Sequence, residues 1–85
     1  MYNVELIIKL SPLPLSVQRK KDEDAKKLYS EIVDIMQKGQ QKLLELTCEK
    51  VEEKRISVLV SDIIAVQIYE KTSSSGSSKR PGFSL

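Results

Sequence analysis

The chain contains no histidine. That removes the commonest general base, the commonest metal ligand and the base partner of every Ser–His or Cys–His nucleophile. There is one cysteine, Cys48, so no intramolecular disulfide can form. The three glycines, Gly39, Gly76 and Gly82, are too widely spaced to build a phosphate-cradling loop. Tryptophan is absent and aromatic residues make up 5% of the chain, so the core must be aliphatic. No apolar run approaches the roughly 20 residues that a membrane-spanning helix needs. Met1-Tyr2-Asn3-Val4-Glu5 has neither the basic start nor the apolar segment of a signal peptide. These absences lead to the expectation of a soluble, cytoplasmic protein of a reducing compartment, with no cofactor or metal.

Eighty-five residues allow one domain, which buries only about 60% of its unfolded surface and is correspondingly marginal in stability. The net charge of +2 is too small to argue for a nucleic-acid partner, but it is unevenly distributed. Residues 1–70 hold all 12 acidic side chains and 11 Lys/Arg, whereas residues 71–85 hold Lys71, Lys79 and Arg80 and no acid. A near-neutral body therefore carries a basic tail.

In residues 2–10, Tyr2, Val4, Leu6, Ile8 and Leu10 alternate with Asn3, Glu5 and Lys9, with Ile7 the exception. This period of two predicts a half-buried strand. Ser11-Pro12 ends it. Leu13, Leu15 and Val17 form a second extended segment over 13–19, which Pro14 confines to an edge or a non-bonded position. The two predict a hairpin, its edge blunted by proline and by Arg19-Lys20-Lys21.

Residues 22–38 place Ala25, Leu28, Tyr29, Ile32, Ile35 and Met36 at helical spacings of three and four, in one apolar stripe. Asp22, Glu23 and Asp24 suit the positive end of the helix dipole, and Lys38 suits the negative end. Asp22 or Asp24 is the expected N-cap, and Gly39 the expected left-handed terminator. Three further strands are predicted at 42–50, 56–60 and 63–71, with Glu52-Glu53 in a charged connection and Ser61-Asp62 in a turn. Leu44, Leu46 and Cys48 face inward in the first and Ile56, Val58 and Val60 in the second. In the last, Ile64, Val66 and Ile68 form the more apolar face. The reading is an α+β domain over residues 1–71, ordered β-β-α-β-β-β. One helix lies on one face of a mostly antiparallel sheet, and the last three strands form a meander. Residues 72–85 show no periodicity and are expected to be a disordered, flexible Ser/Gly linker with a basic-aromatic motif.

Five constellations are candidates for function. Cys48, on an inward strand face, reads as a buried, inert thiol with a raised pKa. Asp22-Glu23-Asp24 and Glu52-Glu53 have lysines beside them and match no metal loop, so they read as a helix start and a solvated turn. Arg19, Lys20, Lys21, Lys26 and Lys27 form a possible basic patch where the hairpin meets the helix, suited to a phosphate backbone but diluted by acids. A single helix leaves one sheet face open. Ile7, Leu43, Leu59, Ile63 and Tyr69, on the opposite parity from the core, are expected to gather there as an apolar interface patch. Lys79, Arg80, Pro81, Gly82 and Phe83 end the tail with side chains typical of interface anchors.

The ordered set "SPLPLSVQRK", "LLELTCEK", "AVQIYEK" and a Ser/Gly linker leading to "RPGF" resembles a small uncharacterised protein family of cyanobacteria with relatives in plastid-bearing lineages. The resemblance spans essentially the whole chain. A weaker, pattern-level similarity runs to a family of short actinobacterial proteins. The cyanobacterial resemblance implies a cytosolic or plastid-stromal protein. It brings no established activity or catalytic residues, and it implies that Arg80, Pro81, Gly82 and Phe83 are a family feature. The function expected from all of this is a non-enzymatic module for protein–protein contact, with another protein or a second copy as partner and the tail as a secondary anchor. RNA binding through Arg19–Lys27 and the tail is the second reading. An enzyme depending on Asp24 or Cys48 is the third.

Overall fold

The computed structural model describes residues 1–71. The Ser/Gly linker and the motif from Lys79 to Phe83 lie outside the described residues. The elements are β1 (Tyr2–Ile8), β2 (Leu15–Arg19), α1 (Asp22–Lys38), β3 (Leu43–Thr47), β4 (Arg55–Leu59), a single 3₁₀ turn (Val60–Asp62) and β5 (Ile63–Glu70). The α+β class and the order of elements are those the periodicity predicts. Among the described residues, no helix is long and apolar enough to cross a membrane.

The expected C-terminal meander does not form. β5 leaves β4 through the 3₁₀ turn and pairs antiparallel with β1, giving one sheet of order β2-β1-β5 and a separate hairpin β3-β4. The physical reason lies in β1. Its alternating face places Val4 and Leu6 fully in the core, which suits a central strand. The short hairpin with β2 satisfies one of its edges, with Leu6 opposite Leu15 and Tyr2 opposite Arg19. The other edge needs a strand of matching length, and β5 has eight residues to the five of β4.

β1 and β5 are in regular register from Tyr2↔Glu70 to Ile7↔Ala65 and then shift, with Ile8 opposite Ile63. This is a bulge, with two residues of β5 facing one of β1. It overturns the expected facing at the start of the strand. Ile63, expected on the open face, is 8% exposed and belongs to the core, while Ile64, expected inward, is 59% exposed. Val66 and Ile68 keep the inward facing that simple alternation assigns.

α1 crosses β1, β2 and β5 with the stripe expected from its spacing. Ala25 and Ile32 are fully buried, and Leu28, Ile35 and Met36 pack against the core, whereas Tyr29, also expected in the stripe, is half-buried outside that cluster. Its N-cap is Lys21, in extended conformation and without a side-chain cap bond, rather than Asp22 or Asp24. The Ala25 N–H already bonds to the Lys21 carbonyl, so the three acids fall inside the first turn, where the dipole still favours them. Gly39 ends the helix at φ 64°, its N–H bonded to the Ile35 carbonyl at 3.0 Å. Leu44, Leu46 and Val58 of the β3-β4 hairpin close the remaining side of the core.

Candidate functional site

Chain direction alternates through the fold, so the same elements meet at each end. The β1-β2 loop, the end of α1, the start of β3, the end of β4 and the start of β5 share one end. Lys9 N–H bonds to the Asp62 carbonyl there, and Val60 N–H to that of Lys42. Among the described residues, five of the eight exposed large hydrophobic side chains lie at this end: Leu10, Leu13, Leu43, Leu59 and Ile64, from 46% to 97% exposed. Leu43 and Leu59 are direct cross-strand neighbours on the outer face of the β3-β4 hairpin. Beside them opens a groove of ≈ 650 Å³, with Met36, Leu59, Val60 and Ile63 as apolar lining and Gln41 and Lys42 as polar lining.

Of the residues expected to form an apolar open face, Leu43 and Leu59 come together here as exposed side chains, and Ile63 reaches the same end from the core as part of the groove lining. Leu10 and Leu13 escaped the sequence reading because alternation assigned them to strands, whereas the chain from Lys9 to Pro14 is a loop and Leu10 adopts φ 63°. Ser11-Pro12 was the signal that ended the strand early. Ile64 was missed because a bulge leaves no mark in a run of aliphatic residues.

The uncovered face of the three-stranded sheet is polar, which corrects the expectation of an apolar patch there. Gln18 Nε2 donates to Asn3 Oδ1 at 2.8 Å, and Asn3 Nδ2 donates to Tyr69 Oη at 3.0 Å. The Tyr69 hydroxyl donates to Glu5 Oε2 at 2.8 Å, and Gln67 Nε2 donates to Glu5 Oε1 at 2.7 Å. This row crosses all three strands and buries Asn3 although, among the described residues, no element covers it. Burial pushes the Tyr69 phenol up; the Asn3 bond opposes this, and the Glu5 carboxylate adds to it. Tyr69 is a hydroxyl donor within the row, and Ile7, opposite Ala65 and beyond Glu5 on the same face, is half-buried. The row was not foreseen, because Asn3, Glu5, Gln18 and Gln67 look like the ordinary solvated half of alternating strands.

Cys48 lies just beyond β3 and is buried as expected, but its chemistry differs. Burial raises the thiol pKa, yet the backbone N–H groups of Val51, Gln18 and Lys50 and the charge of Lys54 outweigh it, so the thiol lies below its ordinary value. The Gln18 N–H reaches Sγ at 3.2 Å. The same segment seals the outer edge of β2. Glu49 N–H bonds to the Gln18 carbonyl, Lys20 N–H to Glu49 Oε1, and Lys54 Nζ to the Ser16 carbonyl. Cys48 is one acceptor in this seam.

The five cations of the expected basic patch lie at the opposite end from the exposed leucines. Arg19 is half-buried and held on backbone carbonyls, its Nη1 donating to that of Thr47 at 2.7 Å and that of Gln18 at 2.9 Å. Lys26 pairs with Asp22 at 3.0 Å. Asp24, Glu31 and Glu49 line the same shallow hollow as Arg19 and Lys27. Lys20 and Lys21 are exposed at the helix start. The arrangement is a mixed-charge surface, with much of its potential cancelled locally.

These features stand on the segment that comparison with known proteins singles out. A model of the UPF0367 protein family matches residues 3–71. The chain belongs to that family. Its UPF0367 relatives include a protein of Prochlorococcus marinus strain NATL1A, 69% identical over 85 residues, covering all of this chain and 98% of the relative. Another, from Prochlorococcus marinus strain MIT 9303, is 60% identical over the same span, again 98% of its own length. A third, from Synechococcus sp. strain CC9311, is also 60% identical over 85 residues, which are 77% of its length. No solved structure matches the chain. The UPF0367 match carries no established activity, and it begins at Asn3 of the polar row and ends at Lys71. The tail motif lies beyond it, although the pairwise alignments run through residue 85.

Proposed function

We propose that this UPF0367 protein is a non-enzymatic module for protein–protein contact that docks through its apolar end. The observation that carries the reading is the gathering of Leu10, Leu13, Leu43, Leu59 and Ile64 at one end of a small domain. Scattered exposed aliphatics need no explanation, but a concentration beside a groove has the chemistry of a partner site. Leu10 is 97% exposed in a left-handed backbone conformation, which a β- or γ-branched side chain adopts at a cost and which its own fold does not use for packing. The partner's complementary surface would be apolar. Lys79, Arg80, Pro81, Gly82 and Phe83 would serve as a second anchor, with Phe83 entering an apolar pocket and Arg80 pairing with a carboxylate. RNA binding gains no support from an Arg19 held on backbone carbonyls and from the acids beside Lys27.

The experiment is affinity capture from a cyanobacterial lysate with the parent chain, a Leu10→Ser/Leu59→Ser double variant and a chain lacking residues 72–85. The expected result is loss of the captured protein with the double variant and a reduced yield without the tail. Capture of the same proteins at the same yield by the double variant would refute the apolar end as the docking surface.

A further inference from the structure

The two edges of the three-stranded sheet are treated differently. Lys71 N–H bonds to the Met1 carbonyl, and antiparallel pairs alternate between bonded and non-bonded partners. The groups of Ala65, Gln67 and Tyr69 therefore face β1, and those of Val66, Ile68 and Glu70 point away from it. The same alternation sends the groups of Ser16 and Gln18 outward on β2. There the 47–54 segment meets them: Lys54 Nζ on the Ser16 carbonyl, Cys48 Sγ on the Gln18 N–H and Glu49 N–H on the Gln18 carbonyl. No described residue does this for Val66, Ile68 or Glu70. Natural sheets blunt a free edge with proline, charge or a covering segment. β5 has no proline, and no charged side chain from Ile63 to Tyr69.

We propose that the free edge of β5 pairs with β5 of a second copy of this chain, antiparallel about a two-fold axis through Ile68. This register sets Ile68 opposite Ile68 and Val66 opposite Glu70 of the other copy, so each of the three outward-pointing residues exchanges both backbone bonds. Several observations favour a second copy as the occupant. A symmetric pairing brings each residue near its own image, so it demands an uncharged centre, which the stretch from Ile63 to Tyr69 provides. The two Glu70 carboxylates are kept about 14 Å apart along the strands. On the polar face, Tyr69 lands opposite Gln67 of the other copy, at a non-bonded position where side chains approach closely. Val66 and Ile68, half-buried in one copy, lose their remaining exposure at the seam.

The product is a six-stranded sheet with both helices on the same side. Because the two β5 strands run antiparallel, the apolar ends of the two copies lie at opposite extremes. The dimer thus presents two copies of the docking end, which extends the proposed function without depending on it. The seam is small, so it belongs with weak interfaces and forms at high concentration.

The test is amide hydrogen exchange by NMR on the full chain at low and high concentration, with sedimentation velocity alongside. The expected result is a dimer at high concentration, with protection of the Val66, Ile68 and Glu70 amides rising about tenfold or more while Ala65, Gln67 and Tyr69 stay protected throughout. Glu70→Pro removes an N–H that no described residue bonds, so it is expected to fold and to weaken dimerisation; Gln67→Lys is expected to do the same through charge. Leu10→Ser/Leu59→Ser is expected to leave the dimer intact. The proposal is overturned by a chain that stays monomeric at high concentration. It is overturned equally by protection of the three amides that does not change with concentration, which would mean that the chain covers its own edge. A dimer lost with Leu10→Ser/Leu59→Ser but kept with Glu70→Pro and Gln67→Lys would also overturn it.

Discussion

Replacing Asn3 with alanine tests whether the polar row stabilises the sheet or merely decorates it. Asn3 is buried on a face that no described element covers, and it takes part in two side-chain bonds, accepting from Gln18 and donating to Tyr69. Each bond contributes about 1 kcal/mol, and its loss leaves Gln18 Nε2 and Tyr69 Oη in a part-buried setting without that partner. Both regain some solvent in the smaller site, so the expected cost is about 2 kcal/mol. For a domain of this size that lowers Tm by roughly 8–16 °C. Asn3→Asp sharpens the test. It puts a carboxylate where the amide donated to Tyr69 Oη, in the same row as Glu5, and the tyrosine has only one proton to give. The introduced carboxylate therefore has a raised pKa in the folded state. A folded-state pKa above the unfolded value means that the fold favours the protonated form, so stability is recovered as pH falls through the folded pKa and lost as pH rises through it. The assay is urea unfolding of the parent, Asn3→Ala and Asn3→Asp across acid to neutral pH. A cost below about 0.5 kcal/mol for Asn3→Ala, the level of an ordinary surface change, would refute the reasoning. So would an Asn3→Asp variant whose penalty is independent of pH.

Three further perturbations follow from the same structure. Ile32→Ala empties a fully buried position between α1 and the sheet and is expected to cost about 2–5 kcal/mol in urea unfolding, enough to threaten folding in a domain this small. Gly39→Ala meets no atom within 4 Å, so its whole effect is the left-handed backbone at φ 64°, an expected loss of about 1 kcal/mol by the same assay. Cys48 has a lowered pKa in the fold, so its contribution to stability is complete above the ordinary thiol value and fades as pH falls through the folded value. Thiolate absorbance near 240 nm should therefore rise at lower pH than in the urea-unfolded chain, and Cys48→Ala should remove that segment of the stability–pH curve; coincident folded and unfolded titrations would show that the amide cluster does not act on Sγ.

Much of this architecture could be read from local pattern. The period of two in Val4, Leu6 and Ile8 and the three-four spacing of Ala25, Leu28 and Ile32 are set by backbone geometry and by which side chains avoid water. A left-handed glycine after Lys38 ends a helix for reasons contained within one turn. Strand pairing is different. Whether β5 joins β4 or β1 depends on residues some 60 positions apart, and the turn at Ser61-Asp62 is compatible with either. The polar row was illegible for the same reason: Asn3, Gln18 and Tyr69 meet only after three strands have been placed side by side.

The amino-acid sequence by itself determined that the elements are five strands and one helix in this order, that the core is aliphatic, and that His-dependent chemistry is absent from the chain. Those properties are local or compositional. Only the tertiary structure decided that Ile63 turns in while Ile64 turns out, that the open face is polar, and that exposed leucines from the β1-β2 loop, the start of β3 and the end of β4 share one end. It also decided that one sheet edge is sealed and that the other is left free by the described residues. Each of these depends on registers and chain directions set by long-range contacts, and a single bulged residue is enough to reverse a facing that alternation alone would assign.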